Sequence, residues 1–470
     1  MKQGVGPVTT RNRLLAFVLL LLVGSACPRG AAVAEALPGQ ALVRVDPDQN
    51  LGCILTGTGI VIADSIPGSR LYLVRFSPTV SFDTKRQDLA GRPGISAVWA
   101  NEPMHLVETH QMSIGVPEDE VPVFVRGVEP QNYYAQPAAY SIGLDSALLV
   151  SRGAGVRIAV IDGGVDCSHP LFADLNDSLA RDFVDNDADP SEGPGTLRGH
   201  GTFVAGLIRL AAPEAELMVV RAFTGDGVST TFQVAQALDW AVSHGAGVVN
   251  MSFGTAADNG VLAQACARAV QAGAVLAASV GNDGIVTPMY PASYPYVLAV
   301  TAIDTLDLAA SFSNGSPEAD VCAPGVDIYS ALPAPYYWGT WSGTSFSTPL
   351  VTAVAGLVRA VRPTLTPQEM ETHIRSTAAR ELAWGTVAPP DLFYGYGRLD
   401  AFTAVLLFRL GDMDNSGVVD VVDLNTVTAM ATTGATPPNS IRRQGDINSD
   451  GTVDAEDVVE LSDELFGGDQ

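Results

Sequence analysis

Residues 155–300 alternate between short, continuously apolar segments and longer segments of helical character, and this alternation limits the folds open to the chain. The apolar segments are typical of strands buried on both faces, which are usually parallel. They are residues 157–161, 217–220, 247–251, 274–278 and 296–300. The intervening segments predicted as helices are 201–210, 231–243 and 261–271. The sequence therefore predicts an α/β fold with a doubly wound, mainly parallel sheet, whose functional groups lie at the carboxyl ends of the strands.

The chain is too long for one average domain, since it has 470 residues. Strand-like segments and one polar helix between residues 37 and 108 predict a small α+β unit. Residues 109–139 are irregular and contain several prolines, which is typical of an exposed, cleavable connection. We expect the α/β domain to cover residues 140–408, followed by an acidic module at residues 411–467.

The first 36 residues have the pattern of a secretory signal peptide. Lys2, Arg11 and Arg13 precede the apolar segment 14–23, and small residues follow at 32–34. Ten apolar residues are too few to span a bilayer as a helix. We therefore expect a secreted protein, with a signal anchor or a lipid-modified cysteine at position 27 as the alternatives.

Charge and cysteine content exclude several other classes of protein. The chain has 51 acidic and 26 basic residues, a net charge of −25, which would repel a nucleic-acid backbone. Only Cys167, Cys266 and Cys322 lie beyond the segments expected to be removed. This set forms no disulfide framework, and free buried thiols are favoured over one bridge with a leftover cysteine.

Four polar residues lie at the ends of predicted strands or the starts of predicted helices, where α/β folds usually carry their functional groups. Asp162 ends the first predicted strand, and His200 begins an apolar helix in a glycine-rich segment. Ser345 begins a second apolar helix, whose free N–H groups would face an oxyanion formed when the serine attacks a carbonyl. Asn282 follows a predicted strand and offers an amide donor to the same charge. A carboxylate, an imidazole and a hydroxyl are the groups that nucleophilic catalysis by serine requires.

These segments resemble those of the subtilisin-like serine peptidases, the subtilases, over residues 140–408. The Asp, His and Ser motifs at residues 161–166, 199–202 and 343–349 follow the family's chain order. The resemblance implies hydrolysis of a protein or peptide substrate through an acyl-enzyme. Ser345 would be the nucleophile and His200 the base and then the acid. Asp162 would hold the imidazole, and Asn282 with the Ser345 N–H would form the oxyanion hole.

The same resemblance suggests how substrate is held. Ser252, Phe253 and Gly254 would belong to an edge strand that binds the substrate backbone. Val280 and Met289 stand at positions that line the S1 pocket in the family. Because both are bulky, we hypothesise a narrowed pocket that favours small or medium P1 side chains. Ordinary loop packing is the alternative for Met289.

Residues 37–108 resemble, more weakly, the inhibitor-like propeptide of the subtilases, chiefly through residues 97–103. The resemblance implies that the protease is silent until secreted. Self-cleavage is then expected between about residues 105 and 140. We also expect a monomeric catalytic domain.

The acidic tail contains a duplication with a period of 34 residues, and both copies have oxygen ligands at calcium-loop spacing. The ligands predicted for the first loop are Asp412, Asp414, Ser416, Val418 through its carbonyl, Asp420 and Asp423. Those for the second loop are Asp446, Asn448, Asp450, Thr452 through its carbonyl, Asp454 and Asp457. The tail resembles a type I dockerin module, which implies two calcium ions and a cohesin-type scaffold partner. A merely solvated acidic tail, or a cell-surface or intramolecular role, are the alternatives.

The sequence thus predicts a secreted, calcium-stabilised serine endopeptidase whose activity rises with pH between about 6 and 8, because neutral His200 must act as a base. One alternative is a catalytically silent peptidase-fold binding protein attached through its dockerin-like module. Another is a different serine hydrolase, such as an esterase or a peptide ligase, that uses the same triad.

Overall fold

The N-terminal part of the chain forms a four-stranded antiparallel sheet. The structure is a computed structural model that describes residues 36–107, 131–406, 421–433 and 452–466. The elements of this N-terminal part are β1 (Gln40–Val45), α1 (Leu51–Ile54), β2 (Val61–Ile66), β3 (Leu71–Arg75), α2 (Phe82–Ala90) and β4 (Ile95–Trp99). The strand order is β2-β3-β1-β4, and α2 packs against β4. Ala41, Val43 and Val74 are completely buried in the core of this N-terminal unit.

The following strands and helices form the α/β domain and its attachments. The strands are β5 (Pro103–Leu106), β6 (Arg157–Asp162), β7 (Ala180–Asp182), β8 (Glu216–Arg221), β9 (Val228–Thr230), β10 (Val248–Met251), β11 (Phe253–Gly254), β12 (Val275–Ser279), β13 (Val297–Ile303), β14 (Val321–Pro324), β15 (Ile328–Ala331), β16 (Trp338–Trp341), β17 (Glu381–Leu382) and β18 (Gly385–Thr386). The helices are α3 (Gln131–Tyr134), α4 (Pro137–Ser141), α5 (Leu144–Ala147), α6 (His200–Ala211), α7 (Thr231–Ser243), α8 (Gly260–Gln271), α9 (Thr344–Val361), α10 (Pro367–Thr377), α11 (Ala401–Leu406), α12 (Val421–Thr433) and α13 (Ala455–Phe466).

The predicted α/β fold is confirmed by a seven-stranded sheet of order β14-β13-β12-β10-β6-β8-β7, in which every pairing is parallel. The chain runs from β6 outward to β8 and then returns to the other side of β6 as β10. This reversal creates a crevice at the carboxyl end of β6, where α/β folds place their sites. Asp162 is the last residue of that strand.

Both faces of the sheet are covered by helices, so successive residues of each strand enter different cores. Ile158 and Val160 of β6 join α6 and α9 on one face, whereas Ala159 and Ile161 join α7 and α8 on the other. This explains why the strands read as continuously apolar rather than alternating.

Among the helices in the described parts of the chain, α9 alone is long and apolar enough to cross a membrane. It lies against β10, β12, β13 and β14, and 83% of its residues are buried. Its apolar character therefore reflects its place in the core of the α/β domain.

A separate three-stranded sheet of order β11-β5-β9 joins the end of the N-terminal unit to the α/β domain. Both pairings of β5 are antiparallel, with Leu106 opposite Phe253 and Pro103 opposite Thr230. The extended segment after β4 is thus the middle strand of a sheet whose outer strands come from the α/β domain.

In the tail, the structure describes helices α12 and α13, which pack against each other through the completely buried Val427 and Leu461. Each of these residues stands four positions after an equivalent aspartate, Asp423 or Asp457, and both aspartates are also completely buried. The repeat seen in the sequence is therefore also a repeat in burial.

Candidate active site

The site begins with a buried pair between the end of β6 and the start of α6. Nδ1 of His200 lies 2.8 Å from Oδ1 and 3.0 Å from Oδ2 of Asp162. His200 is completely buried and Asp162 is 1% exposed. A carboxylate that accepts from Nδ1–H leaves Nε2 as the nitrogen that can take a proton.

The His200 ring packs onto α9, which carries Ser345. Its centroid lies 5.6 Å from that of Phe346 and 5.7 Å from that of Trp341. Phe346 directly follows Ser345, so this packing brings the imidazole to the first turn of α9. Asp162, His200 and Ser345 therefore meet at one edge of the sheet, and the geometry is consistent with an Asp–His–Ser triad.

Ser345 and Ser252 hold each other through two hydrogen bonds. Ser345 Oγ donates to the Ser252 carbonyl at 3.3 Å, and Ser252 Oγ donates to the Ser345 carbonyl at 2.8 Å. The second bond replaces a missing helix bond. Residue 349, which would normally donate an N–H to the Ser345 carbonyl, is a proline inside α9.

The Ser252 hydroxyl is in turn held through Asn250 and Thr352, whose supporting roles sequence reasoning did not predict. Asn250 Nδ2 donates to Ser252 Oγ at 2.9 Å, and Thr352 Oγ1 donates to Asn250 Oδ1 at 3.0 Å. All three side chains are completely buried. Asn250 could have attracted attention as a polar residue in the otherwise apolar β10, but its link to Thr352 depends on tertiary packing.

Asn282 is oriented by the start of α9. Its Oδ1 accepts both the N–H and the hydroxyl of Thr344, each at 2.9 Å. This fixes the side chain so that its Nδ2 donates to the carbonyl of Val107 at 2.8 Å. The amide predicted as an oxyanion donor therefore already binds a peptide carbonyl from the chain itself.

Strand β5 and Val107 lie in the site as an extended peptide. His105 is opposite Gly254 of β11, and the N–H of Leu106 donates to the carbonyl of Gly227, just before β9. The Phe253–Gly254 strand was predicted to bind backbone by β-addition, and here it pairs with β5. The role of β9 on the other side was not predicted, because its three residues give too short a pattern to read.

Met289 and Val107 both lie close to Gly254. A Cβ added at Gly254 would be 3.4 Å from Val107 Cγ1 and 3.5 Å from Met289 Cε. Met289 also lines Gly281, where an added Cβ would meet its Cε at 3.2 Å. Val280 is completely buried in the apolar cluster that includes Leu106 and Phe253. Their roles in an S1 pocket stay predictions.

Most of the predicted calcium ligands lie outside the described residues: Asp412, Asp414, Ser416, Val418, Asp420, Asp446, Asn448 and Asp450. Of the others, Asp423 and Asp457 are completely buried, and Asp457 Oδ2 accepts the N–H of Asp454 at 2.8 Å. Thr452 is exposed. No group of three or more His, Cys, Asp or Glu side chains is placed to hold a metal ion within the described ranges.

The remaining candidate residues have structural places. His169 accepts the N–H of Leu171 through Nδ1 at 3.1 Å, and its Nε2 lies 2.9 Å from the Tyr337 carbonyl, so it braces a turn. Cys53, Cys167, Cys266 and Cys322 are free thiols. Burial raises the pKa of Cys167 to about 11 and that of Cys266 to about 12, which disfavours the reactive thiolates.

Acyl transfer by a serine nucleophile is the chemistry that this geometry serves, so the site belongs to the class of serine hydrolases. Comparison with known proteins narrows the class. The family model described as the subtilase family matches residues 153–397. The chain is 35% identical over 288 residues to subtilisin E of Bacillus subtilis (strain 168), covering 58% of this chain and 72% of subtilisin E.

The chain is also similar to halolysin of Haloferax mediterranei, with 31% identity over 396 residues, 80% of this chain and 72% of halolysin. Among solved structures it resembles fervidolysin of Fervidobacterium pennivorans, described as a keratinolytic enzyme related to subtilisin. That match has a TM-score of 0.66 and 22% identity, and it covers 79% of this chain and 61% of fervidolysin. The chain belongs to the subtilase family of serine endopeptidases.

The hydrogen bond that replaces the missing helix bond at Pro349 predicts an energetic coupling. Ser252→Ala should lower kcat about tenfold with little change in KM, because the buried Ser345 carbonyl loses its donor. In a Pro349→Ala background, where residue 349 regains an N–H, the same change should cost less than twofold. Kinetics on a peptide substrate, normalised by active-site titration, measure both losses. Equal losses in the two backgrounds would contradict the coupling.

Proposed function

We propose that this protein is a secreted endopeptidase that is made with an inhibitory propeptide, cleaves itself after Val107, and carries a calcium-binding, dockerin-like tail. Asn282 carries the proposal: its amide binds the Val107 carbonyl, as an oxyanion donor binds the carbonyl under attack. The predicted domain limits belong to this proposal, with the propeptide predicted at residues 37–108 now ending at Val107 and the peptidase domain at 140–408.

The proposed reaction uses the triad in its usual division of labour. His200 accepts the proton of Ser345 as the hydroxyl attacks the substrate carbonyl, and later gives a proton to the departing amine. Asp162 accepts from Nδ1 of His200, and this stabilises the imidazolium that forms. Asn282 and the N-terminal end of α9 stabilise the negative charge that develops on the carbonyl oxygen.

Polar contacts beyond β5 support the inhibitory role of the N-terminal unit. Asn101 accepts the N–H of Phe232 at 3.1 Å, and the Glu102 carbonyl accepts that of Thr231 at 2.9 Å, both at the start of α7. The Glu102 carboxylate accepts from the amide of Asn259, which caps α8. Acceptors at helix N-termini are favourable, so this unit is held over α7 and α8 as well as in the groove.

The strand in the groove also suggests a substrate preference. If Val107 is P1, then Leu106, His105 and Met104 are P2, P3 and P4. Met104 is completely buried, and Leu106 is 5% exposed. The contacts of Val107 and Met289 around Gly254 support an S1 pocket that suits a medium-sized apolar side chain. The scissile bond would then be Val107–Glu108.

The tail supports the calcium part of the proposal through Asp423 and Asp457. Both are completely buried in the first turns of α12 and α13, and each stands at the last ligand position of its predicted calcium loop. The two loops predicted from the sequence would hold one calcium ion each, and the ions would order the loops around this helix pair. A cohesin-type scaffold protein is the proposed partner of the ordered module.

Self-processing is tested by intact-mass analysis of the purified secreted protein after treatment with a phosphonylating serine-hydrolase probe. The wild type should begin at Glu108 or later and carry one adduct, whereas the Ser345→Ala variant should keep residues 37–107 and carry none. An unlabelled, uncleaved wild type would favour the peptidase-fold binding protein. Labelling with hydrolysis of esters but not of peptides would favour a different serine hydrolase.

The S1 hypothesis predicts a selective effect at Met289. The mature wild type should cleave peptides with Ala or Val at P1 at least tenfold more efficiently than those with Phe. Met289→Ala should raise kcat/KM for the Phe peptide about tenfold, since the added space accommodates the ring. Leu306→Ala, an exposed site, serves as the control. A wild type that prefers Phe or Trp would rule out the narrowed pocket.

Calcium stoichiometry tests the tail. In full-length Ser345→Ala protein, which cannot digest itself, Asp423→Asn and Asp457→Asn should each lower the number of tightly bound calcium ions by one. Isothermal titration after treatment with a chelator measures this number, and Glu460→Gln, an exposed acid outside the loops, should leave it unchanged. An unchanged stoichiometry in both aspartate variants would contradict the assignment.

A further inference from the structure

A carboxylate outside the triad contacts the first turn of the His200 helix. Glu192 lies in the connection between β7 and α6, and its Oε2 accepts the N–H of Gly199 at 2.5 Å. Its Oε1 accepts the N–H and the hydroxyl of Thr202 at 2.8 and 2.9 Å. Gly199 is the N-cap residue of α6 and has no side chain to cap the helix. Glu192 therefore caps α6 from a position eight residues before His200.

The same contacts reach the loop that follows Asp162. The Thr202 hydroxyl donates to Glu192 and accepts the N–H of Asp166 at 2.9 Å. The two elements are in close contact here, since a Cβ added at Gly201 would lie 2.0 Å from the Gly164 carbonyl oxygen and 3.1 Å from Asp162 Oδ1. A small displacement of the first turn of α6 would therefore change how His200 meets Asp162.

We propose that Glu192 is a positioning residue for catalysis, because its carboxylate ties the first turn of α6 to the loop after β6 and so keeps the His200 ring aligned with Asp162. The inference rests on the roles proposed above for His200 and Asp162. Glu192 acts through the charge of its carboxylate as well as through its hydrogen bonds. Its carboxylate accepts from N–H groups at the start of α6, the positive end of that helix.

The charges around Glu192 give its action a pH dependence. Desolvation, opposed by the bonds from Thr202 and Gly199 and reinforced by Asp162, raises its pKa to about 7. Arg221, whose Nη2 would lie 2.7 Å from a Cβ added at the adjacent Gly193, is paired with Asp182 and Asp185. Below about pH 7 Glu192 gains a proton, and one of its oxygens then presents an O–H where it must accept. Activity on the acid side should therefore require two groups to be deprotonated, His200 and Glu192.

The test compares full pH profiles of kcat/KM and of the rate of phosphonate labelling in the processed enzyme. For the wild type, the acid side of log kcat/KM should be steeper than one decade per pH unit. Glu192→Gln should lower kcat at least tenfold at pH 8, with KM within twofold of the wild-type value. In this variant the slope of log kcat/KM at acid pH should fall to one decade per pH unit. Glu214→Gln is the matched control, because it removes an exposed carboxylate that pairs with Arg152.

Each remaining outcome is decisive. A Glu192→Gln variant with wild-type kcat and slope would overturn the inference. So would a variant that only melts earlier while its labelled fraction keeps wild-type kinetics. If Glu192→Gln does not fold, Thr202→Val, which keeps the charge and removes the hydroxyl link, should lower kcat several-fold, and an unchanged kcat would overturn the inference. A wild type that takes no label would instead refute the proposed function.

Discussion

The parallel sheet, buried on both faces, is the constraint on which the site depends. Its seven strands hydrogen-bond to one another and pack against helices on either side, so their carboxyl ends form a rigid edge. Asp162 is fixed at that edge by β6, while α6 and α9 bring His200 and Ser345 to it from the same face. Such rigidity matters because misplacement of a reacting group by about 1 Å can cost a hundredfold in rate.

Around this edge, polar side chains supply hydrogen bonds that the regular structure lacks. Pro349 removes the helix bond to the Ser345 carbonyl, and Ser252 supplies the missing donor. Gly199 allows the backbone to turn tightly into α6, with a φ of 108°, and Glu192 supplies the cap that glycine lacks. Ser252 and Glu192 thus each supply a hydrogen bond that a helix lacks, and each links that helix to another part of the fold.

Sequence reasoning succeeded where the signal was local. The apolar segments identified the central strands, and the fold brings together Asp162, His200, Ser345 and Asn282, which short motifs had singled out. Their catalytic roles stay predictions. Glu192 lies in an irregular loop of mixed polar residues, and nothing in that pattern marks it as a cap. Strand β2 was missed because four of its six residues are exposed, so it has no continuous apolar segment. Such features depend on tertiary contacts, which spacing along the chain does not encode.

The position of β5 determines how its binding in the groove depends on protein concentration. As long as the chain is continuous, the strand in the groove is present at a fixed effective concentration, so its hold on the site does not depend on how much protein is made. If the proposed cleavage after Val107 takes place, the same contacts then join two separate molecules, and the fraction of sites that they occupy falls with dilution. Under the proposed function, the three-stranded sheet β11-β5-β9 would therefore block the groove while the protein is concentrated and open it after dilution.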